Sequence, residues 1–291
     1  MIQTSAGRRY LEYKNLLSCG QPTQSGANGK INLAICALIG ANHANRVPEF
    51  VAYHLLVGFE RFFIYYNADD KKWQETWHFF QPFVKAGLLD LVPFYFKSRS
   101  YMDGVQLPAY HDCLYKAKGR VKWVGFLDAD EFFQISPESK FSSLAQVVKT
   151  FYDKTSITFQ TYFYAFEGGN VDNFIDKCSS LPSFINHWLL NKFEGDKRPG
   201  KSIHRTETTQ YINAHISVTV NERIGKVNTS DVVLAHYRYP YKQYTLDGIA
   251  NGTYTKNDSF KQMFGQSVAQ KLEEFGFNVE NNYCFRQSGI I

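Results

Sequence analysis

The sequence predicts an α/β protein with a mostly parallel sheet flanked by helices on both faces. Apolar segments of strand length alternate with helical segments in the first half of the chain, and their connections are short. Polar clusters follow three of the predicted strands, at residues 42–46, 67–70 and 128–131. Because ligands bind beyond the carboxyl ends of strands in such sheets, we expect the three clusters to meet at one edge.

Each element of the first half has a local signal. The predicted strands are short, continuous apolar runs, which are typical of buried parallel strands: 31–39, 61–66, 88–96 and 121–127. Proline in a first turn and glycine after a last turn mark the ends of helices, and such signals help to bound three predicted helices: 48–56, 72–85 and 108–118.

The second half is less regular. It contains a predicted helix at 142–152, one long strand at 156–166 and a terminal helix at 260–275. Four shorter strands are predicted between them, at 201–205, 208–211, 215–220 and 232–237. The chain therefore divides into an N-terminal extension at 1–30 with a short helix at 8–17, one domain at 31–245 whose regular half is 31–135 and less regular half is 136–245, and a C-terminal helical segment at 246–291.

Composition limits the classes of partner. The chain has 291 residues, 44% of them hydrophobic, and a net charge of +5 with dispersed lysines and arginines. This pattern argues against a nucleic-acid polymer and suits a small anionic substrate or an acceptor at a membrane surface. No run approaches the roughly 20 apolar residues of a membrane span, and the first 30 residues lack the apolar core of a signal peptide. The sequence predicts a soluble protein or a catalytic domain of a longer one.

The cysteines favour a reducing compartment. There are five, an odd number, and no CxxC pair that would indicate a zinc or redox motif. Cys36 falls in an apolar strand and Cys113 in a helix, so both are interpreted as buried thiols. The expected location is the cytoplasm, with membrane association as an option and a Golgi-lumenal catalytic domain as the alternative.

The run that ends in Asp128-Ala129-Asp130-Glu131 carries the clearest chemistry. Two carboxylates one residue apart at the end of a buried strand repel each other unless a cation or a proton neutralises them. Oxygen ligands of this kind suit magnesium or manganese, with a diphosphate completing the coordination. The structural alternative is a strand followed by an acidic turn.

These residues carry a resemblance. The chain resembles GT-A-type glycosyltransferases, close to glycosyltransferase family 92 and related family-2-like enzymes, across residues 31–245. Six pieces match in order, at 42–54, 63–67, 106–114, 123–132, 201–203 and 235–238. One position departs from the family pattern, since His43 follows Asn42 where the family usually has an acid.

The resemblance implies a GT-A fold with a nucleotide-binding half at 31–135 and an acceptor half at 136–245. It also implies a UDP-sugar donor and a manganese or magnesium ion. Asp128 and Asp130 would hold the metal and the donor diphosphate, and Asn42 would contact the nucleotide. Asn67 or Asp69 would bind the nucleobase, most plausibly uracil, although a helix N-cap is an equal alternative for Asp69.

Other candidates complete this site. Gln106 is placed to contact nucleotide or ribose, with a solvated glutamine as the alternative. His236, which ends an apolar strand, is the candidate third metal ligand. A hydrogen-bonded core histidine is its alternative, and His215 and His204 are its rivals. Lys201 and Arg238 would balance phosphate charge unless they are ordinary surface cations.

An inverting transfer also needs a general base near the acceptor hydroxyl. Glu167 ranks first because it follows a strand and precedes two glycines; Asp172 and Glu131 are the other candidates. For Glu131 the alternative role is a hydrogen bond that anchors the loop.

The function predicted is metal-dependent transfer of a sugar, by resemblance galactose with inversion, from a UDP-sugar to a hydroxyl of a glycan or glycolipid. One alternative is a metal-dependent nucleotidyltransferase, although neither GxxxxGK[ST] nor GxGxxG is present. Another is a non-catalytic sugar- or nucleotide-binding module of the same fold.

Overall fold

A computed structural model describes residues 31–96, 102–166, 187–190, 200–212, 217–238, 254–256, 259–279 and 285–287. The predicted N-terminal extension and its helix lie outside these residues. In the part of the chain described, no helix combines the length and the apolar character needed to cross a bilayer.

A seven-stranded sheet forms the centre of the fold. Its strands are β1 (Ile31–Gly40), β2 (Arg61–Asn67), β3 (Leu89–Pro93), β4 (Val121–Phe126), β6 (Ser156–Thr158), β9 (Ser202–Arg205) and β12 (Ile224–Lys226). The order is β12-β6-β9-β4-β1-β2-β3, and β9 alone among them runs antiparallel to its neighbours. The predicted α/β class with a mostly parallel sheet is confirmed.

A second sheet of five strands follows the acidic turn. It consists of β5 (Glu131–Ile135), β7 (Thr161–Phe166), β8 (His187–Leu190), β13 (Val232–Arg238) and β14 (Tyr254–Lys256), in the order β14-β8-β7-β13-β5. Two strand pairs stand apart from both sheets: β10 (Thr209–Ile212) with β11 (Ser217–Thr219), and β15 (Phe277–Val279) with β16 (Phe285–Gln287).

The prediction of one long strand at 156–166 is wrong. The chain leaves the first sheet after β6 and joins the second sheet as β7, with Phe159 and Gln160 between them. The Phe159 N–H bonds to the carbonyl of Lys201 at 3.0 Å, while the Gln160 carbonyl accepts the Leu234 N–H at 2.9 Å. Only two residues separate the two strands, so the sequence pattern gave no sign of the change of sheet.

The helices are α1 (Val47–Leu56), α2 (Asp70–Thr76), α3 (Gln81–Lys85), α4 (Leu107–Ala117), α5 (Leu144–Thr150) and α6 (Ser259–Glu274). Short 3₁₀ turns cover Ala41–Arg46 and Trp77–Phe79, and a π turn, Met102–Gln106, leads into α4. The predicted single helix at 72–85 is therefore broken into two. Pro82 lacks the amide hydrogen that a continuous helix would use, and it lies in the first turn of α3.

Cys36 of β1 and Cys113 of α4 form a disulfide, so the prediction of two buried thiols is wrong. Their Cα atoms are 6.3 Å apart, and both residues are fully buried in the core between the sheet and α4. Sequence spacing did not reveal the pair because 77 positions separate the two residues and only packing of α4 on β1 brings them together.

Candidate functional site at the carboxyl edge of the central sheet

The acidic turn lies between the two sheets. β4 ends at Phe126, the turn carries Asp128 and Asp130, and Glu131 begins β5. Beside it, the parallel neighbour β1 ends at Gly40 and passes directly into the 3₁₀ turn Ala41–Arg46. The predicted clusters at 42–46 and 128–131 thus lie at one edge, and the third, at 67–70, begins at Asn67 of β2, the register partner of Gly40.

A cavity of about 510 Å³ opens at this edge. It is lined by residues 38–43, Arg46, Gln106, residues 128–130 and His236. His236 belongs to β13, which pairs antiparallel with β5 so that His236 lies opposite Glu131. The second sheet therefore brings a residue from late in the chain to the acidic turn.

Asp128 is oriented by three side chains. Its Oδ1 accepts hydrogen bonds from Gln106 Nε2 at 3.2 Å and from the Tyr110 hydroxyl at 3.3 Å. Its Oδ2 lies 3.2 Å from Lys201 Nζ. Burial and the charge of Asp128 raise the pKa of Tyr110 well above its ordinary value, so this phenol stays protonated as a donor. Gln106 thus contacts the first aspartate, which is a role the sequence did not predict for it.

Glu131 is almost completely buried and anchors the turn. Its Oε2 accepts the backbone N–H of Asp128 at 3.0 Å and lies 3.1 Å from Lys201 Nζ, and its Oε1 lies 3.5 Å from His236 Nδ1. Burial raises the pKa of Glu131, with the charge of Asp128 in the same direction and Lys201 opposing. These contacts agree with the alternative role considered for Glu131, a hydrogen bond that anchors the loop. They do not agree with the role of a general base that is open to an acceptor.

Asp130 faces His236 and Arg46. His236 Nε2 lies 3.6 Å from its Oδ1, and Arg46 Nη1 lies 3.5 Å from its Oδ2. Burial works against the charged carboxylate, but His236, Arg46 and His43 outweigh it and hold the pKa of Asp130 below its ordinary value. In return, Asp130 raises the pKa of His236 against the effect of burial.

Asn42 and His43 line the same cavity from the 3₁₀ turn. Burial and the nearby Arg46 guanidinium lower the pKa of His43, although Asp130 and Asp128 oppose the shift. At the position where the resembled family usually has an acid, the chain therefore has an imidazole whose charged form is disfavoured.

Asn67 and Asp69, the predicted nucleobase contacts, are engaged elsewhere. Asn67 Oδ1 accepts the backbone N–H of Phe96 at 3.1 Å, across the ends of β2 and β3. Asp69 Oδ1 accepts the Lys72 N–H at 2.9 Å and caps α2, which is the alternative considered for it. Neither side chain is among those that line the cavity.

Lys201 lies behind the acidic turn, with a side chain that is only 3% exposed. Burial disfavours its charge, but Asp128 and Glu131 more than compensate and raise the pKa of Lys201 well above its ordinary value. It is therefore a partner of carboxylates in this structure. His204 packs in the core against Phe126, so one rival of His236 is placed away from the aspartates.

Several predicted residues fall outside the described part of the chain. Glu167 and Asp172, two of the candidate bases, and His215 are among them. Arg238 ends β13, but its side chain is not described.

Sequence reasoning missed two residues of the site. Arg46 belongs to the predicted polar cluster after β1, but no role was predicted for it, and its buried guanidinium lies 3.5 Å from Asp130. Tyr110 follows Gln106 by four positions, so both face the same side of α4, and that helical spacing is a signal that could have linked them.

The cavity holds a partial donor set for a divalent cation. As the side chains stand, no group of three His, Cys, Asp or Glu residues in the described ranges encloses a point suited to a metal ion. The carboxylates of Asp128 and Asp130 and the imidazole of His236 nevertheless line one cavity, and these ligand types suit manganese or magnesium. The donor set of the cavity therefore fits such an ion by ligand type.

The fold and the cavity together define an α/β protein with a carboxylate site at the switch between its two sheets. The model of glycosyltransferase family 92 matches residues 31–278, and the chain belongs to this family. The predicted resemblance is confirmed, and the family places the chain among the glycosyltransferases.

Curated relatives agree with this assignment. Beta-1,4-galactosyltransferase galt-1 of Caenorhabditis elegans is 24% identical over 82% of the chain and 55% of its own length. A glycosyltransferase family 92 protein of Ricinus communis is 31% identical over 37% of the chain and 17% of its own length. The chain thus spans about half the length of the nematode protein and less of the plant one.

Solved structures include more distant similarities. One is glucosyl-3-phosphoglycerate synthase from Mycobacterium tuberculosis in complex with Mn²⁺, UDP and glucosyl-3-phosphoglycerate. It has a TM-score of 0.36 and 9% identity, and the match covers 83% of this chain and 80% of the synthase chain. Another is the galactosyltransferase LgtC in complex with donor and acceptor sugar analogues, with a TM-score of 0.36 and 10% identity. The match covers 81% of this chain and 95% of the LgtC chain.

Proposed function

We propose that this chain transfers a hexose, with galactose favoured, from a UDP-sugar to a hydroxyl of a glycan or glycolipid. The observation that carries the proposal is the pair Asp128 and Asp130, which line one cavity with His236 at the end of β4 in a chain of glycosyltransferase family 92. The galactosyltransferase name of the nematode relative supports the choice of sugar.

Manganese or magnesium would be held by Asp128, Asp130 and His236. When bound, such an ion supplies positive charge that stabilises the departing diphosphate. The chain's own residues prepare the site: Gln106 and Tyr110 orient Asp128, and Glu131 holds the turn.

The transfer proposed is a direct displacement with inversion. The acceptor oxygen forms a bond to the anomeric carbon while the bond from that carbon to the UDP oxygen breaks, and the hydroxyl proton passes to a carboxylate base. Glu167 and Asp172 stay the candidates for the base. Glu131 is not proposed, because its two oxygens are engaged by Asp128, Lys201 and His236.

The test is thermal unfolding with UDP or GDP, each with and without Mn²⁺, on the wild-type chain and on Asp130→Ala. A ligand that binds the folded state raises the melting temperature by mass action. We expect a shift with UDP only when Mn²⁺ is present, and loss of that shift in Asp130→Ala. A shift with GDP alone would change the donor class, and no shift with either nucleotide would overturn the proposal.

Transfer itself is measured by release of UDP from UDP-galactose in the presence of candidate glycan acceptors, with UDP-glucose as the comparison. Binding of UDP–Mn²⁺ without turnover of any UDP-sugar would favour a non-catalytic module of the same fold.

A further inference from the structure

Two buried cations lie behind the two aspartates of the cavity. Lys201, 3% exposed, is 3.2 Å from Asp128, and Arg46, 1% exposed, is 3.5 Å from Asp130. The aspartates themselves are 36% and 23% exposed. Each carboxylate is therefore open to the cavity on one side and neutralised from the protein interior on the other.

The charges of this cluster nearly cancel before any ligand enters. Lys201 serves two carboxylates, since its Nζ is also 3.1 Å from Glu131. The acidic side chains of the cluster are Asp128, Asp130 and Glu131, and they face the cations Lys201 and Arg46 and the imidazole of His236. Two closely spaced aspartates without such partners would attract a dication strongly, whereas here much of that attraction is already satisfied.

We propose that Lys201 and Arg46 are positioning residues that act as internal counterions and make divalent-cation binding depend on the diphosphate. They keep the aspartates in place when the cavity is empty of ligand, and they weaken the cavity's affinity for a bare dication. The diphosphate adds negative charge, so the cation and the nucleotide bind together more tightly than either alone. This inference rests on the proposed function.

The coupling has a defined sign. Because linkage is reciprocal, a nucleotide that tightens cation binding is itself bound more tightly when the cation is present. Removing one internal cation should strengthen binding of the bare ion and reduce the enhancement that the nucleotide provides. A residue that only supported the fold would not change cation affinity in this direction.

The primary experiment measures Mn²⁺ affinity from the electron paramagnetic resonance signal of free Mn²⁺, with and without UDP. Lys201→Met is compared with wild type and with Lys140→Met, which removes the same charge from a side chain that is 70% exposed and paired with Asp231. Without UDP, we expect Lys201→Met to bind Mn²⁺ at least about tenfold more tightly than wild type, and Lys140→Met to be unchanged.

Glu131→Gln gives the opposite change of charge in the same cluster. It should weaken binding of bare Mn²⁺, and the double variant Lys201→Met/Glu131→Gln, which has the wild-type net charge, should return to the wild-type affinity. Thermal unfolding of each variant verifies that it folds. If Lys201→Met does not fold, Arg46→Met and Glu131→Gln test the same prediction from the other members of the cluster.

The two proposals fail separately. If wild type binds UDP with Mn²⁺ but the folded variants bind bare Mn²⁺ as wild type does, or against the expected order, the counterion proposal is wrong and the proposed function stands. If wild type binds no UDP in the presence or absence of Mn²⁺, the proposed function is overturned and this inference with it.

Discussion

The carboxylate of Glu131 accepts the backbone N–H of Asp128 at 3.0 Å, so the last acid of the triplet holds the first. One residue of a short acidic turn thus serves the geometry of another, and the acids at positions 128, 130 and 131 are not equivalent. Two are partly exposed at the cavity, and the third is buried beneath them.

The hydroxyl of Tyr110 should matter for donor binding and little for folding. Tyr110→Phe removes the hydrogen bond that the hydroxyl donates to Asp128 and the one that it accepts from Gln106 Nε2 at 3.0 Å, and it leaves the bond from Gln106 to Asp128. We expect UDP affinity in the presence of Mn²⁺ to fall about threefold to tenfold, which corresponds to the net energy of one hydrogen bond. Isothermal titration calorimetry measures it.

The matched control for that variant is Tyr115→Phe. Tyr115 lies on the same helix α4 but is 80% exposed, so its hydroxyl contributes nothing to the cavity. Equal affinities in the two variants would contradict a role of Tyr110 in orienting Asp128.

Reduction of the Cys36–Cys113 disulfide should lower the free energy of unfolding by about 2–4 kcal/mol, because the bridge restricts the unfolded chain. Urea unfolding with and without a phosphine reductant measures the change. The double variant Cys36→Ala/Cys113→Ala should not respond to the reductant. Identical wild-type midpoints under both conditions would show that the two cysteines are not bonded in solution.

Stability should fall in mild acid because His54 and His204 are buried as neutral rings. Burial lowers the pKa of each to about 3. The unfolded chain takes up protons below about pH 6.5, whereas the folded protein does not until about pH 3. The contribution of these residues is therefore complete above pH 6.5 and is lost progressively as the pH falls towards 3.

Urea unfolding across this range checks the sign and size of the effect. Each histidine adds a slope of up to about 1.4 kcal/mol per pH unit, so His204→Phe should flatten the profile by about that amount. An unchanged slope in His204→Phe would mean that the ring is protonated in the folded protein.

Gly200 should not accept a side chain. A Cβ at this position would lie 1.6 Å from the carbonyl oxygen of Phe159, which is backbone and has no rotamer to change. We expect Gly200→Ala to destabilise the fold by more than about 2 kcal/mol. Gly40→Ala is the control, since nothing lies within 4 Å of its added Cβ, and its unfolding midpoint should match wild type.

The sequence predicted the parts of the fold that depend on local patterns. β1, β2 and β4 and the helices α1 and α4 follow from apolar runs and from proline and glycine signals at their ends. The meeting of the polar segments after β1 and β4 follows from the parallel pairing of these strands, whereas His236 reaches the cavity through the antiparallel pairing of β13 with β5.

The rest depends on long-range pairing that no local pattern encodes. The second sheet, the disulfide and the insertion of β9 between β4 and β6 each join residues far apart in sequence. The buried position of Lys201 is of the same kind. A lysine at a strand entry looks like a surface cation until its neighbours Asp128 and Glu131 are known.

The position of β9 has a consequence for synthesis of the chain. The strands β1 to β4 follow one another in the sequence and can pair as soon as they leave the ribosome. The other edge of β4 stays unpaired until residues 202–205, which form β9, have been synthesised. Until then the nascent chain exposes unpaired backbone groups along an apolar strand, which is the kind of surface that aggregates or recruits chaperones. Slow translation of the stretch between β4 and β9 should therefore be the most harmful, because it prolongs this exposure. Heterologous expression should benefit most from rapidly translated codons in that stretch.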